Sequence, residues 1–365
     1  MEKRSRVPYG SSSSSFRNPA RHLHRILRST FQDTAGGPIC RIGDSPLRIL
    51  IASPIDPDAI AALQERHDVR VAHITSPDAL RDAIADCEVL VFRSGLTLDR
   101  ETLHGAPNLG LIVRAGCGLD NIDLEYVGQR GIRLERIPQP AAIGVAELAI
   151  GMMIGLARRI GQADAKLRQG HWTKHELGGV LLHDKTLGIV GAGNIGSRVG
   201  QLGAAFGMRV LGCVDAMNST VSSALAAKGI QLVTFEQVIG EADFVSVHVP
   251  LLPTTRNLID AAVIARMKRG AILVNLSRGG VVDEAAVYDA LVQSHLQGAG
   301  MDVHAEEGEG KISPLASLPN VVLTPHIGAQ TLETQRDIGR RALAIISSFE
   351  HSSMSATLAA SSALD

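Results

Sequence analysis

The sequence predicts an α/β protein built from two doubly wound parallel-sheet domains. Three observations carry this. Short apolar runs alternate with helically spaced stretches over some 300 residues, a strand–Gly-X-Gly-X-X-Gly–helix unit lies near the middle of the chain, and an acid ends the strand that follows it.

Taken in order, folded sequence begins at Leu47, where Arg48-Ile-Leu-Ile-Ala52 reads as a short buried strand. Helical spacing follows over Pro57–Arg66, a strand at Val69–Ala72, a helix at Asp78–Ile84 and strands at Glu88–Arg93 and Leu109–Arg114. The last of these runs into the Gly-rich turn Ala115–Gly118. A long helix is expected from Val145 to Arg168, because Leu148, Met152, Ile154, Leu156 and Ile160 recur at helical spacing. Strands return at Gly188–Val190, Val210–Val214, Phe244–Val249, Ala271–Asn275, Ala299–Val303 and Val321–Thr324, which make a full doubly wound sheet. A helix from Gln330 to Phe349 returns the chain to the first domain. The expected boundaries are 47–143 plus 329–350 for a substrate domain and 144–328 for a dinucleotide-binding domain, with a leader at 1–46 and a tail at 351–365.

The fingerprint assigns a task to each glycine. Gly191 permits a tight turn, Gly193 lets the backbone approach a pyrophosphate, and Gly196 allows close packing of helix on strand. The amides near Asn194 and Ile195 open a helix and point at phosphate, aided by the helix dipole. Asp215 lies nineteen residues beyond Gly196 (215 − 196), where a carboxylate can grip the adenosine ribose hydroxyls.

Composition narrows the function class. Net charge is −1 and aromatic content 3%, so a nucleic-acid footprint is not expected. The most apolar segment, Val145–Ala157, carries Glu147 and is shorter than a membrane span, so a buried helix is expected there. Cys40, Cys87, Cys117 and Cys213 show no C-x-x-C pairing and fit free thiols of a cytoplasmic protein, with no metal site. The first 45 or so residues are Arg- and Ser-rich and acid-poor, which fits either a disordered leader or an organellar transit peptide.

Three segments at strand carboxyl ends carry the chemistry. Arg278, in Ser277-Arg-Gly-Gly280, can capture a carboxylate bidentately and polarise a carbonyl; the plainer alternative is a structural ion pair with Asp283 or Glu284. His326, between Pro325 and Gly328, is placed as a general acid near neutral pH, and a neighbouring carboxylate such as Glu307 would favour its imidazolium. His304 and Glu306 compete for these roles on chemistry alone.

From Leu47 to about Phe349 the chain resembles the D-isomer-specific 2-hydroxyacid dehydrogenase family, most closely its phosphoglycerate-dehydrogenase-like branch. The motifs are Arg114-Ala-Gly-Cys-Gly-Leu-Asp-Asn-Ile-Asp123, Val145-Ala-Glu147, the fingerprint, His248-Val-Pro250 with Thr255, Ser277-Arg-Gly-Gly280, Met301-Asp-Val303 and Pro325-His-Ile-Gly328. The resemblance implies an NAD-binding Rossmann domain inserted into a flavodoxin-like substrate domain. It also implies hydride transfer between NAD(H), preferred over NADP(H), and a small D-2-hydroxy acid/2-oxo acid pair. By that likeness Arg278 binds the substrate carboxylate and carbonyl, His326 is the acid/base, and Glu307 orients it. Asp302 would hold the nicotinamide carboxamide. The 24-residue step from Arg278 to Asp302 (302 − 278) sets a register that selects Glu307 over Glu306 and His326 over His304. His248, Pro250, Thr255 and Gly328 fall to the cofactor; His248 as a second base is the alternative. Arg93, Ser94, Gly95 and the Cys117–Gly118 turn fall to the substrate, with Cys117 as a reactive thiol the lesser reading. A homodimer is expected. The same scaffold also serves formate or phosphite oxidation, and a C-terminal-binding-protein-like, dinucleotide-sensing corepressor.

Two departures stand out. Glu307 is followed by Gly308-Glu-Gly310 where the family usually has Pro, implying a more mobile loop. Leu96-Thr97 stands where the phosphoglycerate branch usually has Lys, arguing against a phosphorylated substrate. Serine feedback through a C-terminal regulatory domain is not expected.

Overall fold

Apolar runs of four to six residues, alternating between the two faces of a sheet, frame both halves of the chain. A computed structural model describes residues 45–362 apart from Pro54, His73, Thr75, Ser94 and Cys117, with only the backbone of Gln139 and of residues 352–362. The expected leader therefore lies outside the described residues.

The first sheet contains β1 (Arg48–Ile51), β2 (Asp68–Val71), β3 (Val89–Phe92), β4 (Leu111–Arg114) and β5 (Arg133–Arg136), ordered β2-β1-β3-β4-β5. All pairings are parallel, the flavodoxin-like order. Successive residues feed opposite cores: Ile49, Val89 and Leu111 face one side, Leu50, Leu90 and Ile112 the other. Ile338, Ala342 and Ile346 of the closing helix, Leu332–Ser362, join the first of these cores, so the end of the chain covers the sheet formed by its beginning. That helix runs beyond the expected Phe349.

The second sheet holds β6 (Thr186–Val190), β7 (Arg209–Cys213), β8 (Ile230–Leu232), β9 (Phe244–Val247), β10 (Ala271–Asn275), β11 (Leu296–Met301) and β12 (Val321–Leu323). Its parallel order is β12-β11-β10-β9-β6-β7-β8, a Rossmann sheet with one added strand. The strand order reverses between β6 and β9, which opens the crevice where such sheets take their ligands.

The expected long helix is corrected in two ways. It begins six residues earlier, at Gln139, and breaks after Ala157 before resuming as Ile160–Arg168. At the break the carbonyl of Ala157 accepts from the amide of Val180 at 2.9 Å, and Arg159 adopts φ +51°. The returning chain thus takes over the cap of the first segment. Ala146, Ala149, Met153 and Ala157 are fully buried. The stretch Pro140–Ala157 has the length and apolar composition of a membrane span, and 67% of it is buried inside the fold, as suits a core helix.

Two connections join the lobes, and they touch. A Cβ at Gly144, on the outgoing helix, would stand 2.7 Å from the carbonyl oxygen of Gly328 on the returning segment. Thr334 adds a hydrogen bond to the carbonyl of Pro140 at 3.3 Å. Gly144→Ala is expected to cost about 1–3 kcal/mol by forcing these backbones apart. Gly128→Ala, where nothing lies within 4 Å, should instead stabilise helix Leu124–Arg130 by about 0.5–1 kcal/mol. Thermal unfolding of both variants checks the opposite signs.

Candidate active site

A pocket of about 290 Å³ lies where the carboxyl ends of the two sheets face each other. From the first sheet come Ser53, after β1, and Arg93, after β3, at that sheet's own switch point. From the second come Arg278, after β10, Asp302, after β11, and His326, after β12. Segments that follow five different strands thus meet around one space.

His326 sits at φ +55°, a conformation uncommon for a residue with a side chain. Its amide donates to the carbonyls of Asp302 at 2.7 Å and Thr324 at 3.1 Å. Its Nδ1 lies 3.0 Å from Glu307 Oε2, leaving Nε2 for another partner. The second oxygen of Glu307 accepts from the amide of His304 at 3.2 Å. Burial pushes the Glu307 carboxyl up, but the hydrogen bond and charge of His326 and the His304 amide outweigh it, so it is held below its ordinary value. Glu306 pairs outward with Lys311 at 2.8 Å, and His304 Nε2 meets the carbonyl of Thr324 at 3.1 Å. The pairing of Glu307 with His326, rather than of their neighbours, is the one present.

Arg278 pairs with Asp120, at 3.1 Å from Nε and 3.3 Å from Nη2, and not with Asp283 or Glu284. Asp283 instead caps helix Glu284–Val292, and Glu284 accepts from the amide of Ala305 at 2.6 Å. Arg93 and Arg114 are also buried against the pocket. Arg93 donates to Gln330 Oε1 at 3.0 Å and the carbonyl of Ala329 at 3.2 Å, and its Nε is buried without a partner. Desolvation pulls its guanidinium below the usual arginine range. Arg114 donates to the carbonyl of Gly118 at 3.0 Å and stacks 5.2 Å over the Phe92 ring. Gly95, at φ +80°, lines the same space. Ser94 and Cys117 lie outside the described residues. Asp120 and Gln330 were not singled out by sequence; no local signal tied either to an arginine far along the chain.

The fingerprint has the shape of a dinucleotide cradle. Gly191 takes φ +92°, and a Cβ there would stand 2.7 Å from the carbonyl oxygen of His248 across the β6/β9 crevice. A Cβ at Gly196 would collide with the Gly191 carbonyl. At Gly193 a Cβ would meet nothing within 4 Å, so its bareness serves something other than the protein's own packing. Helix Asn194–Ala205 begins there, with Ile195 on the pocket. Asp215, just past β7, is exposed. His248 has Nε2 on Ser246 Oγ at 2.7 Å and Nδ1 buried without a partner, and burial pulls its pKa down to about 3. That burial makes the ring a weak proton acceptor, which weighs against the alternative of a second base. Thr255 closes its turn onto the carbonyl of Pro250 at 2.6 Å. Asp302, assigned by resemblance to the cofactor, spends its oxygens on Thr324 Oγ1 (2.6 Å), Ile327 N (2.8 Å) and Gly328 N (2.9 Å). These residues fit a dinucleotide.

A fold of this order with an Arg and a Glu-paired His on one interlobe pocket fits a dehydrogenase-type scaffold. Residues 150–328 match the family model described as D-isomer specific 2-hydroxyacid dehydrogenase, NAD binding domain, and the chain belongs to that family. It is 39% identical over 296 residues to hydroxypyruvate reductase of Thermotoga maritima, covering 80% of this chain and 94% of that one. It is 41% identical over 294 residues to D-3-phosphoglycerate dehydrogenase of Methanocaldococcus jannaschii, covering 80% of this chain and 55% of that one. The chain thus spans about half the length of the phosphoglycerate dehydrogenases it matches. Among solved structures, D-lactate dehydrogenase from Aquifex aeolicus, complexed with NAD and lactic acid, superposes with a TM-score of 0.72 at 28% identity, over 83% of this chain and 95% of that one.

Two expectations follow from the geometry. Gly193→Ala should leave thermal stability of the free protein close to wild type and weaken NADH binding roughly tenfold or more, read by fluorescence titration. Glu307 contributes stability in its ionised form, so that contribution is full above the ordinary value of 4.5 and is lost as pH falls through its lower folded value. Glu307→Gln should therefore melt below wild type at pH 6, with the gap closing as both are acidified below pH 4.5.

Proposed function

We propose that this protein reduces a small 2-oxo acid to the D-2-hydroxy acid, or runs the reverse oxidation, with NAD(H). The observation that carries this reading is the single pocket onto which Arg278 and the Glu307-backed His326 both open. Bound in the β6/β9 crevice, NAD(H) supplies or accepts the hydride. Arg278 clamps the carboxylate and draws charge from the adjacent carbonyl. His326 Nε2 donates the proton to the carbonyl oxygen, and Glu307 fixes the tautomer and stabilises the imidazolium that must be present beforehand. In oxidation the same imidazole removes the hydroxyl proton. Asp302 serves by locking the turn that carries His326, and from the pocket wall it would face a bound cofactor.

The exposed carboxylate of Asp215 favours NAD(H), because a 2′-phosphate would meet a like charge. Ala216 and Met217 offer no cation, and Asn218 is committed to capping helix Ser219–Ala226 through Val221 N at 2.9 Å. Exposed Ile160, Leu167, Trp172 and Leu181 support a homodimer seated on residues 160–181.

The test is NADH oxidation with glyoxylate, pyruvate and hydroxypyruvate. His326→Ala is expected to lower kcat by 10²–10⁴-fold with NADH affinity retained, and NADPH should be the poorer reductant. Equal turnover by wild type and His326→Ala would remove the acid/base assignment, and equal efficiency with NADPH would remove the cofactor preference.

A further inference from the structure

We infer that Asp120 is a positioning residue that aims Arg278 at the substrate from the opposite lobe; this rests on Arg278 as the carboxylate clamp. Asp120 lies in the turn after β4, and Arg278 follows β10 in the other sheet, 158 residues away. A guanidinium carries five N–H donors in one plane. Here Nε and one N–H of Nη2 go to the two oxygens of Asp120, at 3.1 and 3.3 Å, and one N–H of Nη1 goes to the carbonyl of Ser277 at 2.8 Å. Two donors remain, one on each terminal nitrogen. That pair matches the two oxygens of a carboxylate, or one carboxylate oxygen and the neighbouring carbonyl oxygen of a 2-oxo acid.

Asp120 therefore occupies one edge of the guanidinium and leaves its other edge in use for ligand. The Asp120 side chain is 15% exposed against 27% for Arg278, so the pair is partly shielded at the pocket mouth while the rest of Asp120 faces solvent. The turn is moulded to it. A Cβ at Gly118 would run into both Arg278 Nη2 and Asp120 Oδ1, so only a bare backbone lets the loop close over the guanidinium. On the other lobe, Asn275 Nδ2 holds the carbonyl of Arg278 at 3.2 Å, and Ser277 donates to Asn275 Oδ1 from both its amide (3.0 Å) and its hydroxyl (2.7 Å). The backbone of Arg278 is fixed by its own sheet, and the plane of its guanidinium by the facing one.

The experiment uses the full chain with NADH and compares wild type, Asp120→Asn, Asp120→Glu, Arg278→Gln and the Asp120→Asn/Arg278→Gln double variant. It reads kcat and KM for the best 2-oxo acid, inhibition by oxamate, NADH binding by fluorescence and the melting temperature. Asp120→Asn is expected to raise KM and the oxamate inhibition constant roughly tenfold or more, with NADH binding and melting temperature as in wild type. Asp120→Glu should fall between the two. In the Arg278→Gln background the Asp120 change should add nothing, since it acts through the guanidinium. Should Asp120→Asn fail to fold, a wild-type KM for Asp120→Glu overturns the inference. So do tighter oxamate binding by Asp120→Asn, which would make the carboxylate a competitor, and additive losses in the double variant. If Arg278→Gln loses activity while Asp120→Asn is unchanged, positioning fails and the clamp stands; if Arg278→Gln itself is unchanged, the clamp fails with it.

Discussion

One buried carboxylate holds the site and the interlobe crossing together. Asp302, 2% exposed at the end of β11, accepts from Thr324 Oγ1 and from the amides of Ile327 and Gly328, and its carbonyl accepts from the amide of His326. An isolated charge in that place would be costly; with its hydrogen bonds met it becomes a rigid peg. The peg keeps His326 in a left-handed conformation that the backbone would not choose by itself. It also fixes Gly328 against Gly144, where the two connections pass. The position of the His326 imidazole and the relative approach of the lobes are thus consequences of one anchored turn.

Around that anchor the lobes divide the electrostatic work. The second sheet brings Arg278, Glu307 and His326, two of them already paired with each other. The first sheet brings Asp120 to Arg278, and Arg93, which donates to a side-chain amide and a backbone carbonyl, both neutral. Arg93 thus borders the pocket with neutral groups, not a carboxylate, as its hydrogen-bond partners. A small anion entering there gains what the protein has left unspent, and water does not screen it as it would at the surface.

Much of this was legible in the sequence because the determinants are local. Apolar strand runs and the three glycines announce both sheets and the crevice, and Gly191 and Gly196 occupy the tight turn and the close approach expected of them. β5 and β8 are not among the strands expected from sequence: Arg133-Leu-Glu-Arg136 is a half-exposed edge strand with charge at three of its four positions, and Ile230–Leu232 is a three-residue edge. Neither has the continuous apolar run of an interior strand. The break at Arg159 was equally hidden, since it depends on Val180 arriving from elsewhere in the chain. In the site, chemistry alone left His304 beside His326 and Glu306 beside Glu307, and the family register chose between them. Asp120 was visible only as part of a motif. Its partner lies in the other sheet, and no spacing rule within one segment points to it.

The missing proline after Glu307 shows which side of a loop sets a side chain. Gly308 at φ +129° and Gly310 at φ +76° send the chain outward by a route that proline would not follow. Glu307 nevertheless reaches His326 at 3.0 Å, because the residues before it are fastened. The carbonyl of His304 sits so close above Gly279 that a Cβ there would collide with it, the ring of His304 holds the carbonyl of Thr324, and the amide of Ala305 is held by buried Glu284. From that fixed approach Glu307 has one oxygen for the amide of His304 and one for the imidazole. The constraint that proline would impose from downstream is met from upstream. The exposed glycines that follow are thereby free to differ without moving the carboxylate.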